Sequence, residues 1–305
     1  AEFDAALSAD PYNPIANNAL AEKALSEGRT EEAVRFARLS LLIDSDNMNS
    51  YSIIAVAYRR DGNANLAKLV CYNALSMNPK AALIYNTLGL IFLDEDEVKD
   101  AIIQFGKAIE FRPNYVEARL NLGAIMLNYN DFSGALGHFD VVLTQDPDNI
   151  DALLSRAVAQ RGLARYEDAA AGYERVLALR PSHEGALYNR CILYQEYLQD
   201  YDQALGYCSQ MLAAIDRKHP DYKEMTDRVA GIEQTIEVMK QMQREQEEEK
   251  RRLKEEGAKV PPVAPQETPD AGAEPAAAGG GAAAKTEEGA KPEGSENQVA
   301  PEGSK

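Results

Sequence analysis

Catalysis needs an acid, a base or a nucleophile held together in one pocket, so the histidines and cysteines are the first residues to weigh. Three histidines occur, His138, His183 and His219, and three cysteines, Cys71, Cys191 and Cys208. None stands in HExxH, GxSxG or CxxC spacing, and there is no Gly-rich phosphate loop. Gly279-Gly280-Gly281 lies in an Ala/Pro-rich run and carries no such meaning. Surface or turn positions are expected for the histidines. An odd cysteine count without paired spacing argues against a disulfide framework or a zinc site. No catalytic, cofactor or metal residue is therefore assigned, and the chain is read as a non-enzyme.

Charge narrows the partners. The formal net charge is −17 over 305 residues, and acids outnumber bases in every third of the chain. No block is basic enough to displace counterions from a phosphate backbone, which excludes nucleic acid as an expected partner. An anionic membrane surface is disfavoured for the same reason. No apolar run approaches the roughly 20 residues of a membrane span.

The strongest signal is a period. Pro79, Pro113, Pro147 and Pro181 stand 34 residues apart, and the same step back reaches Ser45 and Pro11. Ala33, Ala67, Ala101, Ala135 and Ala169 form a second ladder of period 34, continued by Ala204 after a one-residue insertion. A third ladder of small residues, Ala21, Ala55, Gly89, Gly123, Ala157 and Cys191, keeps a fixed offset from the second. Aromatic or bulky residues (Phe92, Phe105, Phe139, Tyr173) accompany them. Small residues let two helices approach, aromatics fill the space beside them, and prolines stop each second helix. No stretch alternates with period 2, so strands are not expected.

These residues resemble the tetratricopeptide repeat (TPR) family. Tyr85-Asn86-Thr87-Leu88-Gly89, followed by Ala101, Phe105, Ala108 and Pro113, is similar to its pattern almost position for position. The resemblance implies an all-α fold, a right-handed superhelical solenoid of antiparallel helix pairs. Six repeats are expected over 14–218, at 14–47, 48–81, 82–115, 116–149, 150–183 and 184–218. Residues 1–13, with Phe3, Ala6 and Pro11, fall in the register of the second helix of a preceding repeat, so the natural protein is expected to extend further toward its N-terminus.

Beyond the repeats, 220–256 reads as one helix. Met225, Val229, Ile232, Ile236 and Met239 form its apolar stripe, expected to cap the solenoid, with weak self-association through a short coiled-coil seam at 225–242 as the alternative. Gln243 to Glu256 is a solvated, charged extension, and 257–305, made of Ala, Pro, Gly, Glu and Lys, is expected to be disordered.

In this family the first helix of each repeat lines a concave face. Carried over by register, the partner-binding groove comprises Val56, Arg59, Arg60, Asn86, Leu90, Leu93, Leu120, Asn121, Leu127, Leu154, Val158, Arg161, Tyr188, Asn189 and Ile192. The leucines would seat apolar anchors, and the asparagines would bond a partner backbone. Glu22 stands where carboxylate-clamping relatives place a cation, and no lysine falls on the groove, which argues against capture of a C-terminal tail. Cys71 and Cys208 fall on second helices and Cys191 on a first helix, all expected as buried thiols. Cys191 and Cys208 share one hairpin, so a disulfide is the alternative.

The resemblance implies a protein-binding scaffold with a protein or peptide partner and no cofactor. The Ala/Pro/Glu/Gly tail is similar in style to secreted or lipid-anchored envelope proteins, such as TPR lipoproteins of the myxobacterial gliding-motility machinery. The expected location is the periplasm or the outer membrane, with the cytoplasm as the alternative. A second functional expectation is the regulatory or substrate-recognition region of a larger enzyme, such as a TPR-bearing glycosyltransferase.

Overall fold

The computed structural model describes residues 11–257. The sequence expectations for 1–10 and 258–305 lie outside the described residues. Among the described residues thirteen α-helices follow one another, the first twelve in packed pairs, and there is no strand. The first five pairs are α1 (Pro14–Ser26) with α2 (Thr30–Ile43), α3 (Met48–Arg60) with α4 (Ala64–Met77), α5 (Ala82–Asp94) with α6 (Val98–Phe111), α7 (Val116–Asn128) with α8 (Phe132–Gln145), and α9 (Ile150–Gly162) with α10 (Tyr166–Leu179). The sixth joins α11 (Glu184–Ile192) to α12 (Tyr201–Ala214), and α13 (Tyr222–Gly257) completes the order. The chain divides into two compact units between Glu249 and Lys250, the first of which holds every hairpin.

Local chemistry explains the boundaries. Asn13, Asn47 and Asn149 accept backbone N–H bonds from Ala16, Ser50 and Ala152 at 2.9, 3.1 and 3.0 Å, satisfying orphan donors at the starts of α1, α3 and α9. Asp131 and Asp200 do the same for α8 and α12. Each first helix ends in one left-handed residue: Gly28, Gly62, Asp96, Asn130, Ala164 and Gln199, with φ between 54° and 75°. The first five stand 34 residues apart and the sixth 35, and only the first two positions use the residue that adopts the conformation freely.

The small and aromatic ladders meet across each hairpin. A Cβ on Gly89 would fall 2.5 Å from Phe105 Cε1, and one on Gly123 would fall 2.6 Å from Phe139 Cε1. Both phenylalanines are fully buried, which stabilises each hairpin by about 1.5–3 kcal/mol per ring. In the first two hairpins the residue in phenylalanine register is small, Ala37 with Ala21 and Cys71 with Ala55, whereas the fifth pairs Ala157 with fully buried Tyr173.

The extra residue of the last repeat has a visible destination. α11 runs directly into a single π-helical turn, Leu193–Tyr197, before the turn at Gln199. A π-bulge absorbs one residue without breaking the helix, so α12 still packs on α11. The next helix begins at Tyr222, two residues later than read from the sequence, because Pro220 sits in a turn in which the Tyr222 amide bonds the His219 carbonyl. Met225 and Ile232 are buried, and Val229 and Ile236 pack on the same cluster with Leu187, Cys208 and Met211. Lys250–Gly257 continues as helix, with Arg251 3.8 Å from Glu255.

Candidate partner-binding groove

The expected groove residues all lie on the first helices of the hairpins or on α11, and packing divides them into three groups. Leu90 and Leu93 are half-buried against the cluster around Phe105. Leu120 and Leu127 lie against Phe139 and Ala159, and Leu154 and Val158 against Tyr173 and Leu193. Val56 is also half-buried. Each of these side chains stays partly exposed, so α5, α7 and α9 all carry half-buried apolar residues at the expected groove positions, a row of three helices.

The asparagines behave differently. Asn121 Nδ2 donates to Asn86 Oδ1 at 3.1 Å, joining α7 to α5, and Asn86 is only 6% exposed. Asn189 Nδ2 returns to the Gly185 carbonyl of its own helix at 2.7 Å. A related bond, Ser52 Oγ to Thr87 Oγ1 at 2.9 Å, links α3 to α5. The Asn86–Asn121 and Ser52–Thr87 bonds fasten neighbouring repeats together, Asn189 bonds within its own helix, and each groove asparagine thus spends part of its hydrogen-bonding capacity inside the chain.

Charged and terminal positions complete the face. Arg59 Nε lies 3.5 Å from Asp94, and exposed Arg60 donates to the Leu25 carbonyl. The Arg161 guanidinium stands 5.6 Å from the Tyr197 ring centroid. At the far end, Ile192 is buried, Tyr188 Oη donates to Glu224 at 3.3 Å, and Arg228 donates to Gln195 and Glu196 at 2.7 and 3.0 Å. α13 thus covers the last first-helix, and the open part of the row runs from α5 to α9.

The titratable residues serve structure. His183 Nδ1 caps α11 at 3.2 Å from the Ala186 amide, and His219 lies 3.5 Å from Glu184. His138 is half-buried 3.3 Å from Arg119, and burial, reinforced by that cation, holds its pKa below the ordinary histidine value. Burial pushes the Cys71 thiol up to about 12. Among the described residues no group of three or more His, Cys, Asp or Glu is placed to hold a metal.

No family model matches the chain. Protein FlbA of Caulobacter vibrioides is 28% identical over 120 residues, a stretch covering 39% of this chain but only 20% of FlbA. Among solved structures, PilF of Pseudomonas aeruginosa superposes with a TM-score of 0.59 at 20% identity, over 70% of this chain and 96% of PilF. The Cut9–Hcn1 hetero-tetramer of the APC/C gives 0.60 at 17% identity, over 75% of this chain and 45% of that one. Both are tetratricopeptide-repeat proteins, and the 34-residue hairpin with its small-against-aromatic contact is common ground. The chain has the TPR fold.

TPR register explains two further features. Cys191 and Cys208 form a disulfide, with Cα atoms 5.1 Å apart, so the alternative weighed for this hairpin replaces the free thiols expected there, while Cys71 is a buried thiol as expected. The signal was present: they occupy the paired positions held by Gly89 and Phe105 three TPR hairpins earlier, and those positions touch. The second feature is a pair of arginines where the other TPR units place Leu20, Ile54, Leu88 and Leu122. Arg156 reaches Asp140 at 2.7 Å, and Arg190 reaches Glu174 at 3.5 Å, each bridging back to the preceding hairpin. Arg190 also lies 4.2 Å from the Tyr207 centroid and 5.8 Å from that of Tyr194.

Proposed function

We propose that this chain is a protein–protein interaction scaffold that holds an extended or helical partner segment across its first-helix face, within a bacterial envelope assembly such as motility or secretion machinery. The observation that carries this is the row Leu90, Leu93, Leu120, Leu127, Leu154 and Val158, half-buried on three successive hairpins. Half-buried leucines form a floor that is already ordered, so a partner's apolar side chains gain burial there at little cost in side-chain entropy. The asparagines support the floor rather than the partner.

The Cys191–Cys208 bond supports an oxidising compartment, because such bonds are kept reduced in most cytosols. It favours the periplasm or the outer-membrane surface over the cytoplasm. Among the described residues no helix is long and apolar enough to cross a membrane.

The test replaces Leu90, Leu120 and Leu127 by serine together and compares proteins captured from an envelope extract with those taken by the parent chain. Loss of specific capture at unchanged helicity is the expected result. Unchanged capture would remove the groove from the mechanism, and collapse of the helical signal would assign these leucines to the core.

A further inference from the structure

The apolar stripe that seats α13 on the hairpins outlasts the hairpins. Met225 and Ile232 are fully buried and Val229 and Ile236 partly so, but Val238, Met239 and Met242 are 50%, 51% and 54% exposed. Ile236, Met239 and Met242 line one wall of an open cleft of about 640 Å³, and Tyr201, the first residue of α12, lines the other. Single exposed apolar residues need no explanation; two exposed methionines three residues apart on the wall of a cleft, continuing the line of Ile236, do.

The two walls also carry opposite charges. Asp202 lies on the α12 side and Lys240 on the α13 side, and neither makes an ion pair among the described residues. Asp200, the other acid on the wall, is engaged in capping α12 through the Gln203 amide at 3.1 Å and its side chain at 2.8 Å.

We propose that this cleft is the contact of a two-fold homodimer, in which α13 of a second copy crosses at Met239 and Met242. The surface is self-complementary, as a two-fold contact requires. It offers projecting methionines and a lysine on the helix, and receives them against Ile236, Tyr201 and Asp202. The crossing helix places its Met239 and Met242 in the cleft and its Lys240 beside Asp202, and symmetry repeats the exchange. The 4-3-4-3 spacing from Met225 to Met239 continues into this contact, so one stripe serves first the intramolecular and then the intermolecular seam. The flexible thioethers suit a helix that must fill an irregular cleft.

The contact is small, so the dimer is expected to depend on concentration. Sedimentation of the full chain between ~1 and ~100 μM should show monomer giving way to dimer. Met239→Glu with Met242→Glu should hold the chain monomeric across that range at unchanged helicity. Lys240→Glu, a surface change that leaves the core intact, should weaken dimerisation at least about tenfold, and adding Asp202→Lys should restore it. A parent chain that stays monomeric throughout, or a dimer indifferent to Lys240→Glu, overturns the proposal. A Met242→Cys variant separates the other occupants. Fast thiol labelling in a monomer means an uncovered site, and slow labelling in a monomer means the chain's own segments cover it. Either monomeric outcome overturns the dimer.

Discussion

Gly89→Ala pits helix propensity against packing at one atom. Alanine in mid-helix gains about 0.8–1.0 kcal/mol over glycine, so the change should stabilise α5 if nothing else intervened. The new methyl, however, would meet Phe105 at Cε1, Cδ1 and Cζ at 2.5, 2.7 and 2.8 Å. Phe105 is fully buried and enclosed by Ile84, Leu88, Ala101 and Ala108, so the ring has no free direction of retreat. Overpacking of this kind costs about 1–3 kcal/mol, leaving a net loss of about 1 kcal/mol. Gly106 supplies the control from the same hairpin, since nothing lies within 4 Å of a Cβ built there. Gly106→Ala should therefore stabilise by about 0.8–1.0 kcal/mol. Urea unfolding followed by far-UV circular dichroism reads both variants, and Phe105→Leu in the Gly89→Ala background should recover about 1 kcal/mol relative to additivity. If both glycine variants stabilise equally, the contact between the ladders does not set the hairpin geometry and the reasoning fails.

Three further outcomes follow from single features. Thiol titration of the denatured, unreduced chain should count one reactive cysteine, Cys71, and reduction should raise the count to three while lowering stability by about 3 kcal/mol for the 17-residue separation. Ala164 holds φ 57° at the end of α9, so Ala164→Gly should stabilise by about 1 kcal/mol in the same urea assay, and Gly62→Ala should do the reverse. His138 has a folded-state pKa below its unfolded value, so the unfolded chain binds the proton more readily. Its contribution is present above the ordinary histidine pKa of about 6.5 and is lost as pH falls through the lowered value; His138→Gln should flatten the fall in melting temperature over that acidic range.

Much of this molecule was written locally. The proline, alanine and small-residue ladders repeat a spacing that two antiparallel helices and their turns impose, so the hairpins and their partners could be read before any coordinates. The same ladders contained the disulfide, because Cys191 and Cys208 stand where Gly89 and Phe105 stand; register made it an alternative, and only the 5.1 Å between the Cα atoms decided it. The one-residue insertion before Ala204 was visible as a number, but its absorption in a π-turn was not. Whether an extra residue loops out or widens a helix depends on how α12 must pack on α11.

Tertiary structure alone decided how the groove residues divide. Register placed Asn86, Asn121, Leu90 and Leu127 on one kind of helix, yet it does not say whether a side chain faces the next repeat or a partner. Their lateral neighbours come from residues about 34 positions away, as Asn121 shows in reaching Asn86. The sequence by itself determined the repeat, the helix pairs and the apolar stripe of α13. Only packing between repeats determined that Asn86 and Asn121 bond each other, that the leucines stay half-buried, and that the stripe becomes exposed at Met239.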